Sequence, residues 1–186
     1  MQGGPARQRE LISRLHQSSE LPLLVGQDAE WGQAMRLDST YKFPTSLTVG
    51  AVQDLKLIER LGEALAHESH KTGVHMSFSP VLDVNTNPRN PIIGARSFGS
   101  NAKEVSRRGR ALIKGMESAG VLACGKHFPG HGDTQSDSHK TLPIVDRTLD
   151  ELKSVEWIPF KDALQHGVSS LMIAHLNIPS LEPSGK

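Results

Sequence analysis

Apolar residues along the chain follow two alternating patterns. Leu11, Ile12 and Leu15 recur at the spacing of one helix face, after a Pro5 that suits a first helical turn, and they predict a helix of about ten residues. The next apolar stretch has no such period. LPLLVGQ, from Leu21 to Gln27, is a short continuous run bounded by proline and glycine, the pattern of a strand buried on both faces. Leu55, Ile58, Leu61 and Leu65 then mark a long helix ending near Gly73, and VHMSFSPVLDV reads as a second strand. Asn101 and Glu104 stand at capping-box spacing ahead of Val105, Leu112, Ile113 and Met116, with Gly120 as the stop and VLACGKHF as a third strand. Thr148 and Glu151 repeat the capping spacing, Gly167 closes that helix, and VSSLMIA is the fourth strand.

Regular alternation of helix and strand predicts βα units and a parallel sheet, hence an α/β fold. In such folds the loops after the strand C-termini carry the chemistry. Here those loops are GQDAEWG, DVNTNPRNPIIGARSFG, GKHFPGHGDTQSDSH and HLNIPSLEPSGK, so polar groups from separate strands should converge on one rim. A (β/α)8 barrel of the TIM type needs eight units and about 250 residues. Only about four units are legible, which predicts an incomplete barrel with open sheet edges that invite self-association.

Composition narrows the partners. The chain has 186 residues, with 21 basic and 20 acidic side chains and a net charge of +1, so no overall field draws it to nucleic acid. Cys124 is its one cysteine, which excludes an internal disulfide framework and a cysteine-based zinc site. No apolar run approaches the roughly 20 residues of a membrane span.

The densest chemistry lies in KHFPGHGDTQSDSH, from Lys126 to His139. His127, His131, Asp133, Asp137 and His139 are ligand types for zinc or manganese, although their spacing repeats no helical HExxH or paired motif. Acid/base catalysis competes with metal binding, because Asp137 two residues before His139 could orient the imidazole and raise its basicity. A solvated loop is the third reading.

KHFPGHGDTQSDSHKTLP resembles, nearly residue for residue, the signature loop of glycoside hydrolase family 3 enzymes of the β-N-acetylhexosaminidase type. FSPVLDVNTNPRNPIIGARSFG, VGQDAEWG and LMIAHLNIP extend the resemblance to all four strand-end loops. The resemblance implies that residues 1–186 are part of the family's N-terminal catalytic (β/α)8 barrel. It also implies removal of terminal β-linked N-acetylglucosamine with retention, through a covalent glycosyl-enzyme and without a cofactor. Asp137 and His139 match the family's acid/base pair, Lys126 and His127 its sugar-hydroxyl ligands, Arg96 its sugar-binding arginine, and Asp28 the aspartate that grips ring hydroxyls. Glu30, Asp83, His131, Asp133 and His175 are expected mainly to shape loops, with Met172 and His175 at the pocket floor and Trp31 a candidate stacking residue.

The sequence departs from the family's pattern in two places. No aspartate here matches the family's nucleophile, which lies on a later strand, so the chain alone is expected to be inactive. GQDAEWGQAMR also differs from the commoner wording of the sugar loop, leaving Arg36 an open assignment. Besides hydrolysis of an amino-sugar glycoside, a phosphorolytic variant, a metallohydrolase and a non-catalytic sugar-binding fragment stay open. The compartment stays open too: MQGGPARQ and AEWG resemble exported bacterial members, implying a cell envelope or periplasm, and a cytoplasmic place stands beside it.

Overall fold

The computed structural model describes residues 3–134 and 142–184. Helix α1 (Pro5–Ser18) carries Pro5 in its first turn and buries Ile12, with Arg9 and Gln8 reaching the backbone at Lys71 and Thr72. The LPLLVGQ run yields only a two-residue strand, β1 (Gly26–Gln27). Pro22 has no N–H to donate to a ladder, and Leu21 and Leu24 are exposed along an edge that nothing covers among the described residues. A single turn, α2 (Ser46–Val49), precedes α3 (Leu55–Lys71), which Asp54 caps by accepting from the Lys56 N–H.

Strand β2 (Met76–Ser77) is also shorter than its apolar run predicts. The run contains Pro80, which cannot donate; Phe78 N–H still bonds Gln27 O and Cys124 N–H bonds Ser79 O, and an isolated bridge between Val81 and Lys126 follows. Helix α4 (Ala102–Ser118) starts where expected, with Asn101 accepting from the N–H groups of Lys103 and Glu104. Glu104 does not return to the cap. Its carboxylate is drawn to Arg107 and Arg108, and the buried Arg108 guanidinium needs an anion more than the exposed Asn101 N–H does.

Strand β3 (Leu122–Phe128) follows as predicted, with Cys124 a buried free thiol within it. The capping box at Thr148 and Glu151 forms in full and opens α5 (Leu149–Ser154), but the expected single helix then breaks before α6 (Trp157–Gln165). Pro159 explains the break, since it lacks the N–H that would bond the Val155 carbonyl and its ring crowds that carbonyl. Strand β4 (Ser170–Ile173) ends the sheet.

The four strands are parallel and lie in the order β1-β2-β3-β4. Sequential neighbours joined by right-handed crossovers put every connecting helix on one face, as in a barrel wall rather than a doubly wound sheet. The fold is therefore α/β of the barrel type, open at β1 and β4 among the described residues. Ile58 and Leu65 of α3, Val105, Leu112 and Met116 of α4, Ala123 of β3 and Phe160 of α6 form one core between the sheet and the helix layer. No helix is long and apolar enough to cross a membrane among the described residues.

Candidate active site

The C-terminal ends of the strands meet around Lys126. The side chain points out of β3 into the sheet's concave rim and is 1% exposed, so its ammonium must find anions inside the protein. It finds two. Nζ donates to Asp28 Oδ1 at 2.7 Å and lies 2.8 Å from Glu30 Oε1. Asp28 directly follows β1, and Glu30 comes two residues later.

Glu30 in turn takes a two-pronged grip from Arg96, with Nη2 donating to Oε1 at 2.7 Å and Nε to Oε2 at 3.1 Å. Arg96 sits at the end of a 3-10 turn (Gly94–Arg96) that aims the guanidinium at the rim. Its Nη2 also approaches His127 Nε2 at 3.3 Å, while His127 Nδ1 faces Asp83 Oδ2 at 2.7 Å. That pattern puts the imidazole proton on Nδ1 and leaves Nε2 as the acceptor. Asp83 is wholly buried and also accepts the backbone N–H of His127 at 3.2 Å and of His131 at 2.7 Å. On the outer side, Arg36 donates to Asp28 Oδ2 at 3.0 Å.

The electrostatics follow from this network. Burial works to raise the Asp28 pKa, but the hydrogen bond and charge of Lys126, with Arg36 and Arg96, outweigh it and hold the carboxyl below its ordinary value. Burial likewise opposes the Arg96 charge, and the bonds and charge of Glu30, with Asp83 and Asp28, more than restore it. His131 is pushed down by burial, helped by the neighbouring His127 and Arg96, against the pull of its own backbone bond and of Asp83. Its Nδ1 lies 2.6 Å from the Thr134 hydroxyl.

These groups line a cavity of about 300 Å³ whose other wall is Ile92 with Met172, Ile173, Ala174 and His175 from the end of β4. The size suits one small polar ligand. A larger cleft of about 480 Å³ crosses the outer helices, but its cations are already engaged, Lys114 by Glu59 and Arg110 by Asp162.

The structure thus brings Asp28, Arg96, Lys126 and His127 together on one rim, with Met172 and His175 in the wall. Asp137 and His139 lie outside the described residues. Trp31 does not line the cavity. Of the proposed metal ligands, Asp133 turns away to Arg147 and Thr86, and among the described residues no three His, Cys, Asp or Glu side chains converge on one point. Glu30 and Asp83 do more than shape loops: they hold Lys126, Arg96 and His127 in place. Glu30 leaves no strand-alternation signal in the sequence, because it stands in the turn that follows β1 and Asp28.

The chain matches the model of the glycosyl hydrolase family 3 N-terminal domain over residues 5–185. It belongs to that family. It is 35% identical to a beta-hexosaminidase of Nitrosomonas eutropha, an alignment covering 97% of this chain and 53% of that protein. Among solved structures, a family 3 beta-N-acetylglucosaminidase from Paenibacillus superposes with a TM-score of 0.92 at 39% identity, covering 98% of this chain and 35% of the other. A beta-glucoside phosphorylase superposes with a TM-score of 0.92 at 30% identity, covering 96% and 32%. The chain spans about half the length of the Nitrosomonas relative and a smaller share of the other two.

Proposed function

We propose that this chain supplies the sugar-binding rim and the acid/base pair of a retaining glycoside hydrolase that removes terminal β-linked N-acetylglucosamine. The observation that supports this most is the buried Lys126 held between Asp28 and Glu30 in the lining of a cavity of single-sugar size. An ammonium has three donors, and among the described residues two are engaged, which leaves one N–H for a ring hydroxyl. Asp28 has lone pairs to spare and accepts neighbouring hydroxyls, while Arg96 and His127 flank the same space. Preorganised by ion pairs, these groups bind sugar without first having to be ordered.

On this reading His139, oriented by Asp137, protonates the glycosidic oxygen as the bond to the anomeric carbon breaks. A carboxylate nucleophile, assigned to an aspartate outside these 186 residues, takes that carbon. His139 then removes a proton from water, which attacks the anomeric carbon and frees the nucleophile.

Phosphorolysis is the second reading, favoured by the likeness to a beta-glucoside phosphorylase. A neutral imidazole repels an incoming phosphate less than a second carboxylate would.

Two measurements test the proposal. Titration of the chain with N-acetylglucosamine, followed by NMR, should show binding that Asp28→Ala abolishes, and a chain that ignores millimolar sugar overturns the rim assignment. In a parent protein that turns over an aryl β-N-acetylglucosaminide, free sugar with and without phosphate decides for hydrolysis, whereas a sugar phosphate decides against it.

A further inference from the structure

We propose that Arg36 is a positioning residue for Asp28, fixing the direction in which that carboxylate meets a sugar, an inference that rests on the sugar-binding reading above. Arg36 does not line the cavity. Its guanidinium instead holds Asp28 at two points, with Nη2 donating to Oδ2 at 3.0 Å and Nε to the Asp28 backbone carbonyl at 2.7 Å. Lys126 takes the other carboxylate oxygen, also at 2.7 Å. The terminal torsion of an aspartate is broad, so a carboxylate bound through one oxygen pivots about that bond. Asp28 meets a different cation at each oxygen and is tied to its own backbone through Arg36. Its remaining lone pairs therefore face one direction before any sugar arrives.

The eight positions from Asp28 to Arg36 fold the chain back on itself. Gly32 makes the reversal at φ +95°, where a Cβ would come within 2.7 Å of the Phe43 ring. A 3-10 turn (Gln33–Met35) follows, and the N–H groups of Arg36 and Leu37 both donate to the Gln33 carbonyl, at 2.9 and 2.8 Å. The turn is anchored below. Gln33 is buried and its Nε2 donates to the Ser69 hydroxyl of α3 at 3.3 Å, while the Leu37 side chain is buried beside it in sequence. Arg36 thus reaches Asp28 from a fixed support. The two side chains are 42% and 40% exposed, so their ion pair adds little to stability and its contribution lies in geometry. A guanidinium aims two donors in one plane, at a backbone carbonyl and a carboxylate together, which an ammonium does not.

Two NMR measurements on the 186-residue chain test this. Without sugar, the three-bond couplings from the Asp28 Hα to its Hβ protons should report one rotamer in the native chain and an average over rotamers in Arg36→Gln. In titration with N-acetylglucosamine, Arg36→Gln should bind about fivefold more weakly, the effect of one mis-aimed hydrogen bond. Weaker binding with unchanged couplings would make Arg36 a ligand of the sugar itself and overturns the positioning role. Unchanged affinity overturns it whatever the couplings do, and a lower melting temperature with both readouts native marks a purely structural residue. Asp28→Ala separates the two levels of the reading. If it binds sugar as the native chain does, the rim assignment falls and this inference with it; if it no longer binds while Arg36→Gln binds normally, the inference alone is overturned. Should Arg36→Gln fail to fold, Arg36→Lys, which keeps the charge and loses the planar pair of donors, is read by the same criteria.

Discussion

Replacing Lys126 by methionine keeps most of the side chain's volume and removes the charge that Asp28 and Glu30 share. Breaking a buried ion pair from one side usually costs 3–5 kcal/mol, but here Asp28 keeps Arg36 and Glu30 keeps Arg96, so a loss of about 3 kcal/mol is expected in urea unfolding. A loss under about 1 kcal/mol would mean that water takes over the ammonium's part. The same variant should flatten the acid limb of stability. Asp28 has a depressed folded pKa, so its contribution is present above the unfolded value and disappears as pH falls through the folded one, and Lys126 is the main source of the depression. Glu156 has the opposite sign. Burial raises its pKa, with Asp133 and Glu151 adding to the rise, while Arg147 and a nearby peptide N–H short of hydrogen-bond geometry pull the other way. Its contribution is fully present below the unfolded value and is lost as pH rises through the folded one, so Glu156→Gln should melt higher than the native chain at pH 7 and alike near pH 4. A lower melting temperature at pH 7 would show that Arg147 outweighs burial. Asp28, Arg96, Lys126 and His127 are legible in the sequence because each sits just where an apolar run gives way to a polar loop. The Arg147–Asp133 pair is not, because nothing local signals a contact between residues 14 positions apart across an irregular segment.

Helices α3 and α4 cross at two glycines. A Cβ on Gly115 would overlap the Glu59 carbonyl oxygen, and one on Gly62 would overlap the Leu112 carbonyl oxygen. Helix propensity alone says Gly→Ala gains about 1 kcal/mol. The obstacle here is backbone, which cannot rotate aside, so Gly115→Ala should instead lose about 2 kcal/mol as the helices are forced apart. Gly109→Ala is the control, since its Cβ would meet only the Leu82 side chain, and thermal melts should rank Gly115→Ala well below it. The helices were readable because 3.6-residue periodicity and caps are local signals, as the complete Thr148–Glu151 box shows. Strand extents were not, because an apolar run says that a segment is buried but not that its N–H groups are paired. Pro22 and Pro80 remove donors from two of the runs, and Pro159 splits a helix whose apolar pattern continues across the break.

At the scale of the molecule, the unbroken order β1-β2-β3-β4 leaves β1 and β4 each paired on one side only among the described residues. Both margins are apolar as well as unpaired. Ile173 is 70% exposed on β4 and Leu164 56% exposed on α6, while Leu21 and Leu24 are 75% and 64% exposed ahead of β1. Unpaired N–H and C=O groups beside bare leucines favour pairing with another chain. Two copies related by a two-fold axis parallel to the strands would set β4 of one beside β1 of the other on both sides, covering both margins with the parallel pairing the sheet already uses. We therefore expect the 186-residue chain to associate as its concentration rises, measured by light scattering on a sizing column. Leu24→Lys and Leu164→Lys place charges on the two margins without touching the cavity, and each should shift the population toward monomer. A native chain that stays monomeric throughout would show that β1 and β4 are too short to template pairing. Lysine variants that associate as strongly as the native chain would move the contact off these margins, most directly to the apolar groove beside Leu57 and Leu61.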